Sequence, residues 1–187
     1  MEKNEIEKAV QTIKTGGILL YPTDTLFGIG VDATKKNDIE KIYRIKKRER
    51  TKPLSVIMAN ISMIKKYCII NTNEQRILEK YLPGPYTFIL KLKKKLPASR
   101  NKTIGIRIPK QSKIVKICKL VNVPITTTSA NRSGEKNPTK LKEIDKRIIK
   151  NVDFIIDGKL KYKKPSTIVD LISNRILRLG AGKYKIN

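Results

Sequence analysis

The run Lys46-Lys47-Arg48-Glu49-Arg50-Thr51-Lys52-Pro53-Leu54 concentrates cations where an amphipathic helix gives way to a strand. Upstream, Ile39, Ile42, Tyr43 and Ile45 recur at helical spacing, with Asn37 or Asp38 as the N-cap. Downstream, Pro53 turns Lys52 away from helical backbone, and Leu54 to Met58 reads as a short strand. Lys46 and Arg48 stand two residues apart, so they converge only if the chain unwinds there. Cations at such a junction suit an anion with several charged oxygens. On this stretch alone, a solvated charge run in a lysine-laden protein is the simpler reading.

The totals narrow the choice. A net charge of +26 and a pI near 10.2 favour a polyanionic partner, either nucleic acid or a phosphate-bearing ligand. Only ten of the 42 basic residues are Arg, the better reader of bases and the better phosphate fork. Aromatic residues make up 5% and Trp is absent, which leaves few platforms for stacking a single strand. A coding preference for Lys, Asn and Ile would give the same excess without any function. Cys68 and Cys118 stand fifty residues apart and form no CxxC pair, so neither a zinc site nor a disulfide framework is indicated. With no His in the chain, imidazole triads and His metal sites are excluded. The first fourteen residues mix Glu with Lys around no apolar core, unlike a signal peptide. No apolar run approaches the ~18 residues of a membrane span, so a soluble, cytoplasmic protein is expected.

The elements that would position these side chains follow from periodicity. Residues 2–14 form a helix with Ile6, Val10 and Ile13 on one face, ended by Gly16-Gly17. Ile18 to Tyr21 is a buried strand, Pro22-Thr23-Asp24-Thr25 a turn, and Leu26 to Val31 extended again. Gly28-Ile29-Gly30-Val31-Asp32-Ala33 matches GxGxxA, but the glycines sit within an apolar strand run and open no helix. They mark instead a close approach of a ligand or another backbone. Helices follow at 62–67, 73–82, 110–121 and near 141–149, with strands at 86–92, 104–108, 123–128, 154–156, 167–171 and 175–179. Arg107, a lone charge among Ile104, Ile106 and Ile108, points into a cleft, pairs with an acid or sits on a plain edge strand. Strands and helices mix without strict alternation, so an α+β or mixed-sheet single domain over residues 1–187 is expected.

Hydroxyl-bearing segments follow strands at Thr23–Thr25, Thr126–Asn131, Asn137–Thr139 and Ser166–Thr167. With Lys46, Arg48, Lys52, Arg107 and Arg178 they would build a site for a triphosphate plus a small zwitterion. No GxxxxGK[ST] run exists, and the acids are few and scattered, so neither a P-loop hydrolase nor a glycosidase carboxylate pair is supported.

Taken in order, these segments resemble the YrdC/TsaC family of threonylcarbamoyl-AMP synthases. The likeness is carried by GILLYPTDTLFGIGVDA at 17–33, the cationic run at 46–54, PGPYT at 83–87, IGIRIP at 104–109, TTTSAN at 126–131 and PSTIVD at 165–170. Lys46/Arg48 match the family's Lys-x-Arg, and Ser129/Asn131 its Ser-x-Asn. The resemblance implies a twisted mixed sheet, flanked by helices, around a positively charged concave cleft. It implies condensation of L-threonine, bicarbonate and ATP to threonylcarbamoyl-AMP and pyrophosphate, an adenylyl transfer with Mg²⁺ carried mainly on the phosphates. A separate transferase would then modify adenosine beside the anticodon of tRNAs decoding ANN codons. Carried over residue by residue, Thr25, Arg107, Thr127 and Ser166 would hold threonine. Arg48, Lys52, Thr103, Ser129, Asn137 and Arg178 would hold ATP, and Lys46 and Asn131 complete the catalytic signature. Lys46 and Arg48 are expected to neutralise phosphate and carbamate charge.

Four positions depart from the family: Ile57 stands for a frequent His that shapes the threonine pocket, Phe27 for Tyr, Gln111 for His and Glu49 for Pro. Two rival readings accompany the enzyme. One is a basic module that binds double-stranded RNA or tRNA without chemistry. The other is a relative that forms a carbamoyl-adenylate from carbamoyl phosphate.

Overall fold

The computed structural model describes residues 2–99, 101–110 and 112–185. Its frame is a mixed sheet, and the first hairpin shows how the sequence builds it. Strands β1 (Leu19–Pro22) and β2 (Phe27–Gly30) pair antiparallel around the Thr23–Thr25 turn. Both strands carry almost wholly buried residues, as continuous apolar runs require when both faces are covered. A Cβ on Gly30 would lie 2.0 Å from the Thr126 carbonyl oxygen, so this glycine admits a neighbouring backbone and not a dinucleotide.

Strands β3 (Ser55–Ile57), β4 (Cys68–Ile69), β5 (Tyr86–Leu92), β6 (Thr103–Arg107), β7 (Ile125–Ser129), β8 (Phe154–Ile155), β9 (Thr167–Asp170) and β10 (Arg175–Arg178) complete the sheet. Their order is β10-β9-β5-β6-β3-β7-β2-β1-β8, with β4 added beside β5. The pairs β1/β8, β3/β6 and β5/β9 are parallel and the others antiparallel. Elements remote in sequence therefore lie side by side, and the cluster Leu20, Ile29, Val56, Phe88 and Ile106 is sealed from solvent. Helices α1 (Glu2–Lys14) and α5 (Lys113–Val121) pack on each other, and α5 also covers β3. The remaining helices are α2 (Lys36–Lys46), α3 (Ile61–Tyr67), α4 (Thr72–Tyr81) and α6 (Lys146–Ile149). Among the described residues, no helix is long and apolar enough to cross a membrane.

Several boundaries differ from the sequence reading, each for a local reason. Helix α2 starts at Lys36 without a side-chain cap, and Asp38 lies inside its first turn, its carboxylate 3.0 Å from the Lys41 ammonium. Negative charge favours that end of a helix without capping it. Lys110 stays outside α5 because its N–H donates to Asp24 Oδ2 (3.1 Å). The single helix expected near 141–149 is a 3₁₀ turn (Leu141–Glu143) followed by α6, since the Asp145 carboxylate accepts from the Arg147 N–H and starts a new helix. The two-residue β4 is too short to leave a period-2 signal.

Candidate functional site

Across one face of the sheet opens a cavity of about 410 Å³, within the ~300–1,000 Å³ usual for small-molecule sites. Its inner end is a closed polar network. Arg107, the last residue of β6, donates through Nη2 to Asp24 Oδ1 (3.1 Å) and Thr25 Oγ1 (2.7 Å). Arg107 thus meets an acid and a cleft at once, two of the alternatives its apolar surroundings left open. Thr23 and Thr25 share a hydroxyl contact of 2.9 Å, and the Thr23 hydroxyl donates to the Leu26 carbonyl, which fixes the turn. Burial pushes the Asp24 carboxyl above its ordinary 3.8, with the Arg107 charge working the other way. The guanidinium is lowered by the same burial, against Asp24, yet stays charged because an arginine starts so high. Its Nε is buried without a partner among the described residues. Thr127 from β7 and Ser166 beside β9 complete this end.

The outer end is cationic and half open. Helix α2 stops where Lys47 adopts left-handed backbone (φ 47°), and the Arg48 side chain folds back onto the strand entry, donating to the Lys52 and Pro53 carbonyls (3.3 and 2.9 Å). Lys52 ion-pairs with Glu49 (2.9 Å) in solvent. Arg178, on β10, grips the Ser166 carbonyl through Nε and Nη2 (3.1 and 2.9 Å). Burial first, then the neighbouring Arg107 charge, lowers its guanidinium from the ordinary value. Thr103, Ser129 and Asn137 line the wall with these cations. Every residue expected to hold threonine or ATP therefore faces one cavity.

Lys46 and Asn131 do not. Lys46 is 2% exposed, and its ammonium donates to the Ser129 carbonyl (2.5 Å), the Asn131 carbonyl and Asn131 Oδ1 (3.2 Å). Those acceptors match the three N–H bonds of a charged ammonium. Burial, then the Arg48 charge, pulls it down from 10.5 to about 7, with Glu135 acting the other way. Lys46, expected to neutralise phosphate charge, here spends its ammonium on the Ser129–Asn131 loop and does not line the cavity. Lys46, still on the last turn of α2, points beneath the Ser129–Asn131 loop, whereas Arg48, past the left-handed Lys47, reaches the cavity. Asn131 is held in the same loop, its Oδ1 accepting from Ser129 Oγ (2.5 Å) and its Nδ2 donating to the Glu135 carbonyl (2.5 Å).

Sequence reasoning missed Asp24, Ser55 and Thr87. Asp24 was legible as a scarce acid within a hydroxyl turn, the natural counter-charge for Arg107. Ser55 and Thr87 line the cavity, and Thr87 Oγ1 meets Ser166 Oγ at 2.8 Å. Ile57 is fully buried in β3 and off the cavity wall, and Gln111 lies outside the described residues. Burial pushes both thiols up to about 12, so neither cysteine offers a thiolate.

A family model described as telomere recombination, covering Sua5, YciO and YrdC proteins, matches residues 11–180. The chain belongs to the Sua5–YciO–YrdC family. A Methanocaldococcus jannaschii relative, provisionally named a threonylcarbamoyl-AMP synthase, is 43% identical over 186 residues, spanning 98% of this chain and 88% of that one. The structure of P. abyssi Sua5 complexed with L-threonine superposes with a TM-score of 0.87 at 26% identity, over 96% of this chain. This chain spans only 55% of the P. abyssi chain. Escherichia coli YciO, an uncharacterised protein, superposes with a TM-score of 0.85 at 30% identity, over 98% of this chain and 92% of that one. The fold is thus the family's twisted mixed sheet with flanking helices.

Proposed function

We propose that this protein is a threonylcarbamoyl-AMP synthase, condensing L-threonine, bicarbonate and ATP to threonylcarbamoyl-AMP, pyrophosphate and water. The observation that carries the reading is the shared cavity, where segments scattered between Thr25 and Arg178 bring hydroxyls and guanidinium groups onto one wall. The relatives named above support it, one by its name and one by the threonine in its complex.

The chemistry follows from the two ends. The threonine amine attacks bicarbonate and water leaves, forming a carbamate. A carbamate oxygen then attacks the α-phosphorus of ATP as its bond to the bridging oxygen breaks, and pyrophosphate departs. Both reactants are anionic, so repulsion is the chief obstacle, and fixed cations with correct placement lower it. In this reading Arg107, Thr25, Thr127 and Ser166 hold the amino acid, with Asp24 keeping Arg107 in place. Arg48, Lys52 and Arg178 face the phosphates, and Thr103, Ser129 and Asn137 orient the nucleotide. Lys46 and Asn131 act one layer back, by holding the loop that presents Ser129. Mg²⁺ enters as part of Mg-ATP. Among the described residues no group of three or more His, Cys, Asp or Glu could hold a metal, so no step is assigned to a protein-bound ion. The adenylate would pass to a tRNA-modifying transferase in the cytoplasm.

The test is product analysis with labelled bicarbonate, ATP and each of several amino acids. Label should enter an amino-acid carbamoyl-adenylate with threonine alone, with one pyrophosphate per product. Equal labelling with every amino acid, or none, overturns the assignment. The charge of +26 favours a second reading, an RNA-binding module, for which binding would fall steeply with salt and ignore ATP.

A further inference from the structure

The chain beyond β10 folds back behind the cavity wall, against the start of β9 and the Tyr86 ring. After Arg178 it crosses the beginning of β9, where the Ala181 N–H donates to the Pro165 carbonyl (2.8 Å). Thr167, fully buried, fastens the crossing from beneath. Its hydroxyl donates to the Gly182 carbonyl (2.5 Å) and accepts from the Gly180 N–H (3.0 Å). A Cβ on Gly180 would lie 2.2 Å from the Pro165 carbonyl oxygen, and one on Gly182 2.4 Å from the Tyr86 ring, so the crossing is as close as backbone allows. The Tyr86 hydroxyl donates to the Lys183 carbonyl (2.9 Å). Tyr184 then anchors the end, its ring 4.8 Å from that of Tyr81 and edge-on to Phe88 at 6.0 Å.

What this fastening encloses is the pair Ser166 and Arg178, the residues immediately before Thr167 and two before Gly180. The Ser166 carbonyl takes both Nε and Nη2 of Arg178, and its hydroxyl lies between Arg178 Nη2 (3.2 Å) and Thr87 (2.8 Å). Both members of the pair are on the cavity wall, whereas Thr167 and the residues at 180–184 are not.

We propose that residues 180–184 form a clasp that positions the Ser166–Arg178 pair for ligand, with Thr167 as the positioning residue whose hydroxyl closes it. The ligands' identity rests on the synthase reading; the clasp itself does not. Thr167→Val keeps the side-chain shape and deletes both hydroxyl bonds. It should raise the ATP dissociation constant and the KM values for ATP and threonine about tenfold, with kcat within about twofold. Amide hydrogen exchange should quicken both in the tail and across 165–168 and 176–178. Thr167→Ser should restore every one of these values. Tyr86→Phe, which removes only the bond to Lys183, should move them the same way by about threefold. If Thr167→Val quickens exchange only in the tail and leaves ATP affinity at the wild-type level, or lowers kcat alone, the clasp is a fold element and the proposal fails. Wild-type protein that binds ATP without making product would end the synthase reading, while affinity and exchange still decide the clasp. If it binds no ATP, exchange across 165–168 and 176–178 decides it.

Discussion

The two ends of the cavity hold their cations in opposite ways. At the inner end Arg107, the last residue of β6, is buried and held by Asp24 and Thr25, with its Nε unpartnered among the described residues. At the outer end Arg48 and Lys52 lie at a half-open mouth, steadied by backbone carbonyls and by a solvent-exposed glutamate. A buried pair is costly to break because the surviving charge has nowhere to go, whereas a cation at the mouth is replaced by water at little expense. The same residue type therefore carries stability and placement at one end, and chiefly charge at the other.

The largest effects should come from separating these roles. Arg107→Met is expected to lower stability by about 3–5 kcal/mol, because it strands the Asp24 carboxylate. Burial already lifts Asp24 above 3.8, and losing Arg107 lifts it further. The native state then keeps a proton that the unfolded chain releases, so the deficit is smallest below the ordinary 3.8 and widens as pH rises through the folded value. Thermal denaturation across pH measures it, and a pH-independent deficit would contradict the pairing. Arg48→Ala should leave stability within about 1 kcal/mol while slowing pyrophosphate release about 100-fold. A variant as active as wild type would remove Arg48 from the phosphate wall.

Lys46 tests the middle ground, a cation near the mouth that is buried. Lys46→Met should cost about 1–3 kcal/mol by leaving the Ser129 and Asn131 carbonyls unpaired. Its folded value, about 7, lies below the ordinary 10.5, so the unfolded chain binds more protons between those values. The stability advantage of wild type over the variant should therefore grow from pH 7 to 10, and shrink as pH falls. The smallest expected effect is at the rim, where Glu49→Gln frees Lys52 from its partner. ATP affinity should improve about twofold at low salt and match wild type at high salt.

How far the sequence reaches is clearest at Lys46 and Arg48. Both belong to a motif whose cationic character and helix-to-strand setting are legible in the chain, and the unwinding at Lys47 is where the spacing places it. That one of them turns inward is not legible, because it depends on three carbonyl and amide oxygens over eighty residues away. Tyr86 to Leu92 is a strand over its full expected length, since alternation and the preceding Pro-Gly-Pro act locally. Helix α5 begins late because Asp24, remote in sequence, captures the Lys110 amide. Asp24 itself went unnoticed as a site residue because a turn acid ordinarily serves its own backbone.

The sequence by itself determined the apolar periodicities, the breaks at glycine and proline, the missing imidazole and the surplus of cations, since each is a property of neighbouring residues. Tertiary structure decided which charges are buried and which meet a ligand. That outcome depends on strand order: parallel pairing of β3 with β6 and of β5 with β9 sets Arg107 beside one remote turn and Ser166 beside Thr87. Burial and electrostatic coupling are properties of that juxtaposition, and no local pattern encodes them.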